Sequence, residues 1–269
     1  MRRETSLLTL KHLVIDLDGV LYRGQEAISG AAGFIAFLRS QHMGFVLATN
    51  NSTRTPGQYV EKLAHMGIDV RPGEVLTSAQ AAAASLLAVA SPGTRVFVVG
   101  MDGLRAALQE AGFALVEEDA EYVVAGMDFT ICFERLAQAT LQIRAGARFV
   151  GTNPDRTFPS ERGIIPGCGS LLAFLETATG VSPTIIGKPQ TAMLEQALHL
   201  LDAGRTQTAM IGDRLETDIL AGRRAGLSTI LVLSGVTSPE VLATSEIRPD
   251  LVFRDLGELH TVWEATLDG

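Results

Sequence analysis

The sequence predicts an α/β protein organised around a mostly parallel sheet, and three observations lead there. Short β-branched runs alternate with longer amphipathic or Ala-rich stretches along the whole chain, the signature of βα units. The residues are 46% hydrophobic and only 19% charged, with few aromatics, the balance of an ordinary globular protein. At 269 residues the chain is long for one compact domain and comfortable for a core domain that carries a smaller second one.

Residues 13–17 read as the first strand, 31–42 as a helix, 45–49 as the second strand and 56–66 as the second helix. Thr55 precedes Pro56 at the first helical position, where a missing N–H costs nothing. The alanine-rich run 79–84 reads as a tightly packed helix. A middle segment follows, with strands at 95–99, 121–125 and 148–152 and helices at 104–110 and 133–144. It can form its own unit, and the Pro/Gly-rich stretches 91–94 and 154–169 read as its loops, too short and unbiased for flexible linkers. The last third resumes the alternation, with strands at 184–186, 208–211, 229–233 and 251–253 and helices at 192–201, 217–225 and 256–264. Internal repeats are absent.

A net charge of −8 without any Lys/Arg cluster argues against a nucleic-acid polymer as partner. An acidic chain that binds phosphate must do so locally, with a metal ion, backbone N–H groups and a lysine. Cys132 and Cys168 form no C-x-x-C pattern and have no histidine at zinc-ligand spacing, so a reducing compartment is the simpler expectation. Arg2 and Arg3 precede an apolar stretch broken by Thr9, Lys11 and His12, and no run reaches about 18 apolar residues. The expected location is therefore cytoplasmic, with no membrane partner.

In an open parallel sheet, ligands bind outside the carboxyl ends of the strands, so the residues that follow each apolar run are read together. Leu-Val-Ile leads into Asp16-Leu-Asp18-Gly19, Val-Leu-Ala into Thr49-Asn50-Asn51-Ser52, Ile-Ile-Gly into Lys188, and Met-Ile-Gly into Asp213. If these strands are parallel neighbours, carboxylates, a hydroxyl, carboxamides and one ammonium meet at one edge. The carboxylates would repel one another unless a cation sat among them, and oxygen-only ligation suits Mg2+. Mg2+ with Lys188 and neutral donors makes a receptor for a phosphoryl dianion, whose transfer needs positioning and electrostatic stabilisation above all. Either Asp16 or Asp18 could attack phosphorus, and the other could shuttle the proton in both half-reactions.

Each feature has a plainer reading. Asp16 alone could be a turn former, Thr49 to Ser52 a polar turn ahead of the helix at Pro56, Lys188 an exposed loop residue, and Asp218 a helix-start carboxylate. Shared position at strand ends is what joins them. Cys168, between two glycines, fits no hydrolase elbow and reads as structural or pocket-lining, and the five histidines read as surface or packing residues.

Taken in order, Asp16-Leu-Asp18-Gly-Val-Leu-Tyr, Thr49-Asn50-Asn51-Ser52, Gly187-Lys188-Pro189 and Gly212-Asp213-Arg-Leu-Glu-Thr217-Asp218 resemble the four motifs of the haloacid dehalogenase superfamily. Thr152-Asn153-Pro154-Asp155 with Pro166-Gly167-Cys168-Gly169-Ser170 resembles the cap signature of its p-nitrophenylphosphatase-like branch, which includes phosphoglycolate, pyridoxal-phosphate and ribonucleotide monophosphatases. The resemblance implies a Rossmann-like, mostly parallel sheet core (1–77 and 183–269) with an inserted α/β cap domain (78–182). It implies Asp16 as nucleophile and Mg2+ ligand, Asp18 as acid/base whose carbonyl also reaches the metal, and Asp213 as third protein ligand. Thr49, Asn50 and Asn51 would hold the phosphoryl oxygens, Lys188 would neutralise them, and Asp218 would support the metal or Lys188. The implied partner is a small phosphorylated metabolite, read by cap loops around Asp128, residues 153–158 and Cys168. Relatives often dimerise through the cap, so a homodimer is a further expectation. A phospho-aspartate signalling receiver, a metal-independent dehalogenase and a binding protein that kept the fold are the alternatives. Asp18, the large insert and the full motif set weigh against them.

Overall fold

A computed structural model describes residues 7–160 and 163–267; Arg2 and Arg3 lie outside them. The chain forms two units, one made of Met1–Thr49, Tyr59–Leu76 and Pro189–Gly269, the other of Asn50–Gln58 and Thr77–Lys188. No helix among the described residues is long and apolar enough to cross a membrane.

Unit 1 opens with β1 (His12–Ile15), a small hairpin of β2 (Tyr22–Arg23) and β3 (Glu26–Ala27), α1 (Ala31–Ser40) and β4 (Gly44–Thr49). The chain continues through α2 (Pro56–His65) and β5 (Val75–Thr77). The second unit then takes α3 (Ser78–Leu87), β6 (Arg95–Val99), α4 (Asp102–Glu110), β7 (Ala114–Leu115), β8 (Tyr122–Ala125), α5 (Phe133–Arg144) and β9 (Arg148–Gly151). It ends with the hairpin β10 (Thr157–Ser160) and β11 (Gly163–Pro166), α6 (Cys168–Thr179) and β12 (Thr184–Ile185). Unit 1 resumes with α7 (Ala192–Leu200), β13 (Thr208–Gly212), a π turn at Leu215–Ile219 running into α8 (Leu220–Arg224), β14 (Ser228–Val232), α9 (Pro239–Thr244), β15 (Leu251–Phe253) and α10 (Leu256–Leu267).

The sheet of unit 1 has the order β15-β14-β13-β1-β4-β5. β1 lies at its centre, parallel to β13 on one side and to β4 on the other, with His12 opposite both Thr208 and Gly44. Leu13, Val14 and Ile15 are all buried, as a strand covered on both faces requires. Helices α1 and α10 close one face, where Phe34, Phe37 and Trp263 pack with ring centroids 6.1–6.3 Å apart. Each fully buried Leu, Ile or Phe in such a layer contributes about 1.5–3 kcal/mol.

The second unit has its own sheet, β12-β9-β8-β6-β7, and its own core of Phe97, Val123, Ile143, Phe149, Leu172 and Leu175. Thr77 starts α3 with a capping box: its hydroxyl accepts from the Gln80 N–H while the Gln80 side chain accepts from the Thr77 N–H.

Two expectations from sequence are corrected. The strand expected at 184–186 in the core sheet pairs instead with β9, Thr184 opposite Val150 and Ile185 opposite Gly151. A two-residue strand carries too little periodicity to reveal its neighbour. The stretch 154–169, expected as loop, contains the β10–β11 hairpin and the start of α6. Gly163 opens β11, Pro166 ends it, and Gly167 is the N-cap of α6.

Candidate active site

Because β1 and β13 run parallel with Ile15 opposite Ile211, the residues that leave them emerge side by side at the carboxyl edge of the sheet. The Asp16 N–H still donates to the Ile211 carbonyl at 2.9 Å, so the nucleophile candidate is fixed by the last rung of the ladder. Asp213 follows β13, and the π turn directly after it brings in Asp218. One carboxylate oxygen from each of Asp16, Asp213 and Asp218 lies within 4.8 Å of the other two. These residues are 8%, 1% and 1% exposed.

Three anions at this spacing repel by about 3 kcal/mol per pair at an effective dielectric constant near 20. Buried carboxylates so placed call for a cation, and an all-oxygen donor set suits a hard divalent ion such as Mg2+. The backbone is shaped to the same end. The Val236 N–H donates to Asp213 Oδ2 at 2.6 Å and the Thr237 N–H to the Asp213 carbonyl at 3.1 Å, while Asp218 Oδ2 accepts from the Arg214 N–H at 3.1 Å. Gly19 sits at φ +83°, and a Cβ there would come 2.5 Å from Asp213 Oδ2. A Cβ on Gly235 would overlap the same carboxylate. Gly235→Ala must therefore push Asp213 aside, and a Mg2+ titration of activity is expected to show about 10- to 100-fold weaker metal affinity.

Asp18 is half-buried, and its carboxylate lies outside that trio. The loop carrying it folds back on itself, with Gly19 N–H to Tyr22 carbonyl and Leu21 N–H to Leu17 carbonyl both at 2.8 Å. Leu17, Val20 and Leu21 anchor it in the core. The Tyr22 hydroxyl donates to Asp18 Oδ2 at 3.1 Å. Burial, and after it the charge of Asp18, pushes the Tyr22 phenol far above its ordinary range, so it stays protonated and remains a donor. The Arg23 guanidinium and the Ser234 hydroxyl tie this loop to the one that holds Asp213: Arg23 Nε donates to the Ser234 carbonyl at 2.7 Å and Ser234 Oγ to the Gly19 carbonyl at 2.8 Å. Neither Tyr22 nor Gly235 was singled out by sequence reasoning. The signal for Tyr22 was its place four residues after Asp18.

Thr49, the last residue of β4, is buried. In the second unit Lys188 is 1% exposed, which rules out the exposed-loop reading, and Asn50 lies against its main chain. Asn51 Oδ1 accepts from both the N–H and the hydroxyl of Thr53, at 2.9 and 2.8 Å, so the plain turn reading holds for that atom. Asp128 is a turn residue of the same kind, accepting from Thr130. Cys168 is buried beside Thr152 Oγ1 at 3.6 Å, and burial raises its thiol to about 11, so it is no thiolate nucleophile at neutral pH. Cys132 and Cys168 are both free, the first exposed.

The chain is similar to known proteins over most of its length. Residues 13–114 match the family profile described as haloacid dehalogenase-like hydrolase, and residues 185–259 one described as HAD-hydrolase-like. The acid sugar phosphatase of Staphylococcus aureus (strain USA300) is 43% identical over 249 residues, covering 92% of this chain and 96% of its own. The crystal structure of 4-nitrophenylphosphatase from Thermotoga maritima superposes with a TM-score of 0.91 at 36% identity, covering 95% of this chain and 98% of its own. The glycerol phosphate phosphatase of Mycobacterium tuberculosis, in complex with magnesium, gives a TM-score of 0.89 at 36% identity over 96% of this chain and 78% of its own.

Proposed function

Since the chain belongs to the haloacid dehalogenase-like hydrolases, in their p-nitrophenylphosphatase-like branch, and is a phosphoric monoester hydrolase, we propose that it works with Mg2+ through an aspartyl-phosphate on Asp16. The observation that carries this reading is the buried set of Asp16, Asp213 and Asp218 at adjoining strand ends. Asp16 and Asp213 would hold the ion with the Asp18 carbonyl, and Asp218 would support them. Bound there, Mg2+ would offset the charge of the carboxylates and of the phosphoryl oxygens.

Asp16 attacks phosphorus as the ester P–O bond breaks, and Asp18 gives its proton to the departing alkoxide. Asp18 then takes a proton from water, the new oxygen bonds to phosphorus, and the bond to Asp16 breaks to release orthophosphate. Thr49, Asn51 and the main chain at Asn50 hold the phosphoryl oxygens, and Lys188 neutralises them. The Tyr22 hydroxyl supports the reading of Asp18 as acid/base, because its donation to Oδ2 fixes the orientation of the carboxylate.

In this reading residues 78–182 act as the cap that selects the leaving group. A homodimer through that cap belongs to the same proposal, and size-exclusion chromatography with light scattering checks it. The names of the Staphylococcus aureus and Mycobacterium tuberculosis relatives support a sugar or polyol phosphate as substrate. A phosphate-release screen with Mg2+ over sugar phosphates, glycerol phosphates, nucleotides, phosphoglycolate and pyridoxal phosphate is expected to rank the first two classes highest. Preference for nucleotides or pyridoxal phosphate would overturn the substrate class, and release from none of them would overturn the phosphatase site.

A further inference from the structure

We infer that the side chain of Asn50 is a positioning residue for Lys188 and makes no contact with the phosphoryl group. Resting on the phosphatase reading, this changes the role that sequence alone suggested for Asn50. A carboxamide offers two N–H donors and one acceptor oxygen. Asn50 Oδ1 accepts from the Lys188 N–H at 2.8 Å, and Asn50 Nδ2 donates to the Lys188 carbonyl at 2.9 Å. The remaining Nδ2 hydrogen points to Asp155, whose carboxylate oxygens lie 3.2 and 3.3 Å away. Both donors are thus committed to protein, and none is left for a phosphoryl oxygen.

The pairing grips Lys188 as a neighbouring strand would, by both polar groups of one residue's main chain. The flanking residues tighten the grip. The Gly187 N–H donates to the Thr152 carbonyl at 2.8 Å, and a Cβ on Gly187 would come 2.5 Å from that carbonyl and 2.7 Å from Asn50 Oδ1, so only glycine permits the approach. Pro189 restricts Lys188 to extended backbone. Asn50 is itself held, its carbonyl accepting from the Ser78 hydroxyl and, at 2.8 Å, from Asn153 Nδ2. The Thr152 hydroxyl reaches Ser52 Oγ at 3.3 Å. The second motif and the Thr152–Asp155 stretch therefore serve a common end: they set where the Lys188 stem begins. A long, flexible lysine side chain is a poor locator of its own charge. Fixing its Cα within a buried network reduces the positions the ammonium can take.

The test is a double-mutant cycle on kcat/KM for p-nitrophenyl phosphate with Mg2+, using Asn50→Ala, Lys188→Ala and the pair. Asn50→Ala is expected to lose about 10- to 100-fold, the scale of a misplaced charge. The pair should be no worse than Lys188→Ala alone, because with the ammonium gone there is nothing left for Asn50 to position. The inhibition constant for orthophosphate should rise in Asn50→Ala, while the Mg2+ concentration for half-activation stays at its wild-type value, which general damage to the fold would not allow. If the alanine variant does not fold, the isosteric Asn50→Asp carries the same cycle, since it lacks the donor to the Lys188 carbonyl. Losses that multiply, or an Asn50 variant as active as wild type, overturn the inference and leave the phosphatase reading standing. Full activity in Lys188→Ala overturns the proposed role of Lys188 and this inference with it.

Discussion

Asp16→Asn is expected to lose at least about 10^4-fold in kcat, the scale of removing a covalent nucleophile, while the protein stays folded. The side chains are nearly isosteric, and the Asp16 N–H keeps its bond to the Ile211 carbonyl whichever side chain it carries. What changes is the attacking atom, because a carboxamide oxygen is too weak a nucleophile toward a phosphate ester. The sign of the stability change is a second readout. With Asp16, Asp213 and Asp218 buried within 4.8 Å of one another, neutralising one removes two repulsive pairs. In chelator the variant should therefore melt no lower than wild type. In Mg2+ it should gain less than wild type does, because one ligand charge is gone. Phosphate release and thermal melts with and without Mg2+ check both halves.

Chelation is expected to be as severe. Exchange into EDTA should abolish turnover, and Mg2+ should restore it. The same exchange should lower the melting temperature, since an ion bound only by the native state stabilises it by about 2.7 kcal/mol when present at 100 times its dissociation constant. Asp213→Asn should shift the Mg2+ requirement upward without creating metal-independent activity. The Val236 N–H that donates to Asp213 Oδ2 would still meet an oxygen in the variant, so the defect is one of charge. Activity that persists in EDTA would remove the reason for burying three carboxylates together.

Much of the core was legible because the signals were local. The apolar run ending at Asp16, its counterpart ending at Asp213 and the polar residues after Thr49 mark the ends of β1, β13 and β4, which are parallel neighbours. Periodicity shows that a strand is buried, but it does not say which strand lies beside it. That is why β12 was expected in the core sheet and found beside β9. Residue type likewise says what a side chain can bond but not what it meets. Asn50 offered donors suited to a phosphate, and one is taken by the main chain of Lys188, 138 positions away, the other by the Asp155 carboxylate. The plainer alternative for Lys188, an exposed loop lysine, is excluded by its burial, which residue type alone does not reveal. Asp218 reads as a helix-start carboxylate because the π turn that turns it inward, Leu215–Ile219, has the composition of an ordinary helix start.

The most direct test of Asp16 as the phosphorylated nucleophile is a rapid acid quench during turnover with Mg2+, followed by mass spectrometry of the peptides. One phosphoryl group on the peptide containing Asp16, missing from the Asp16→Asn variant, is the predicted result. A phosphoryl group on any other residue, or turnover by the Asp16→Asn variant at the wild-type rate, would contradict it.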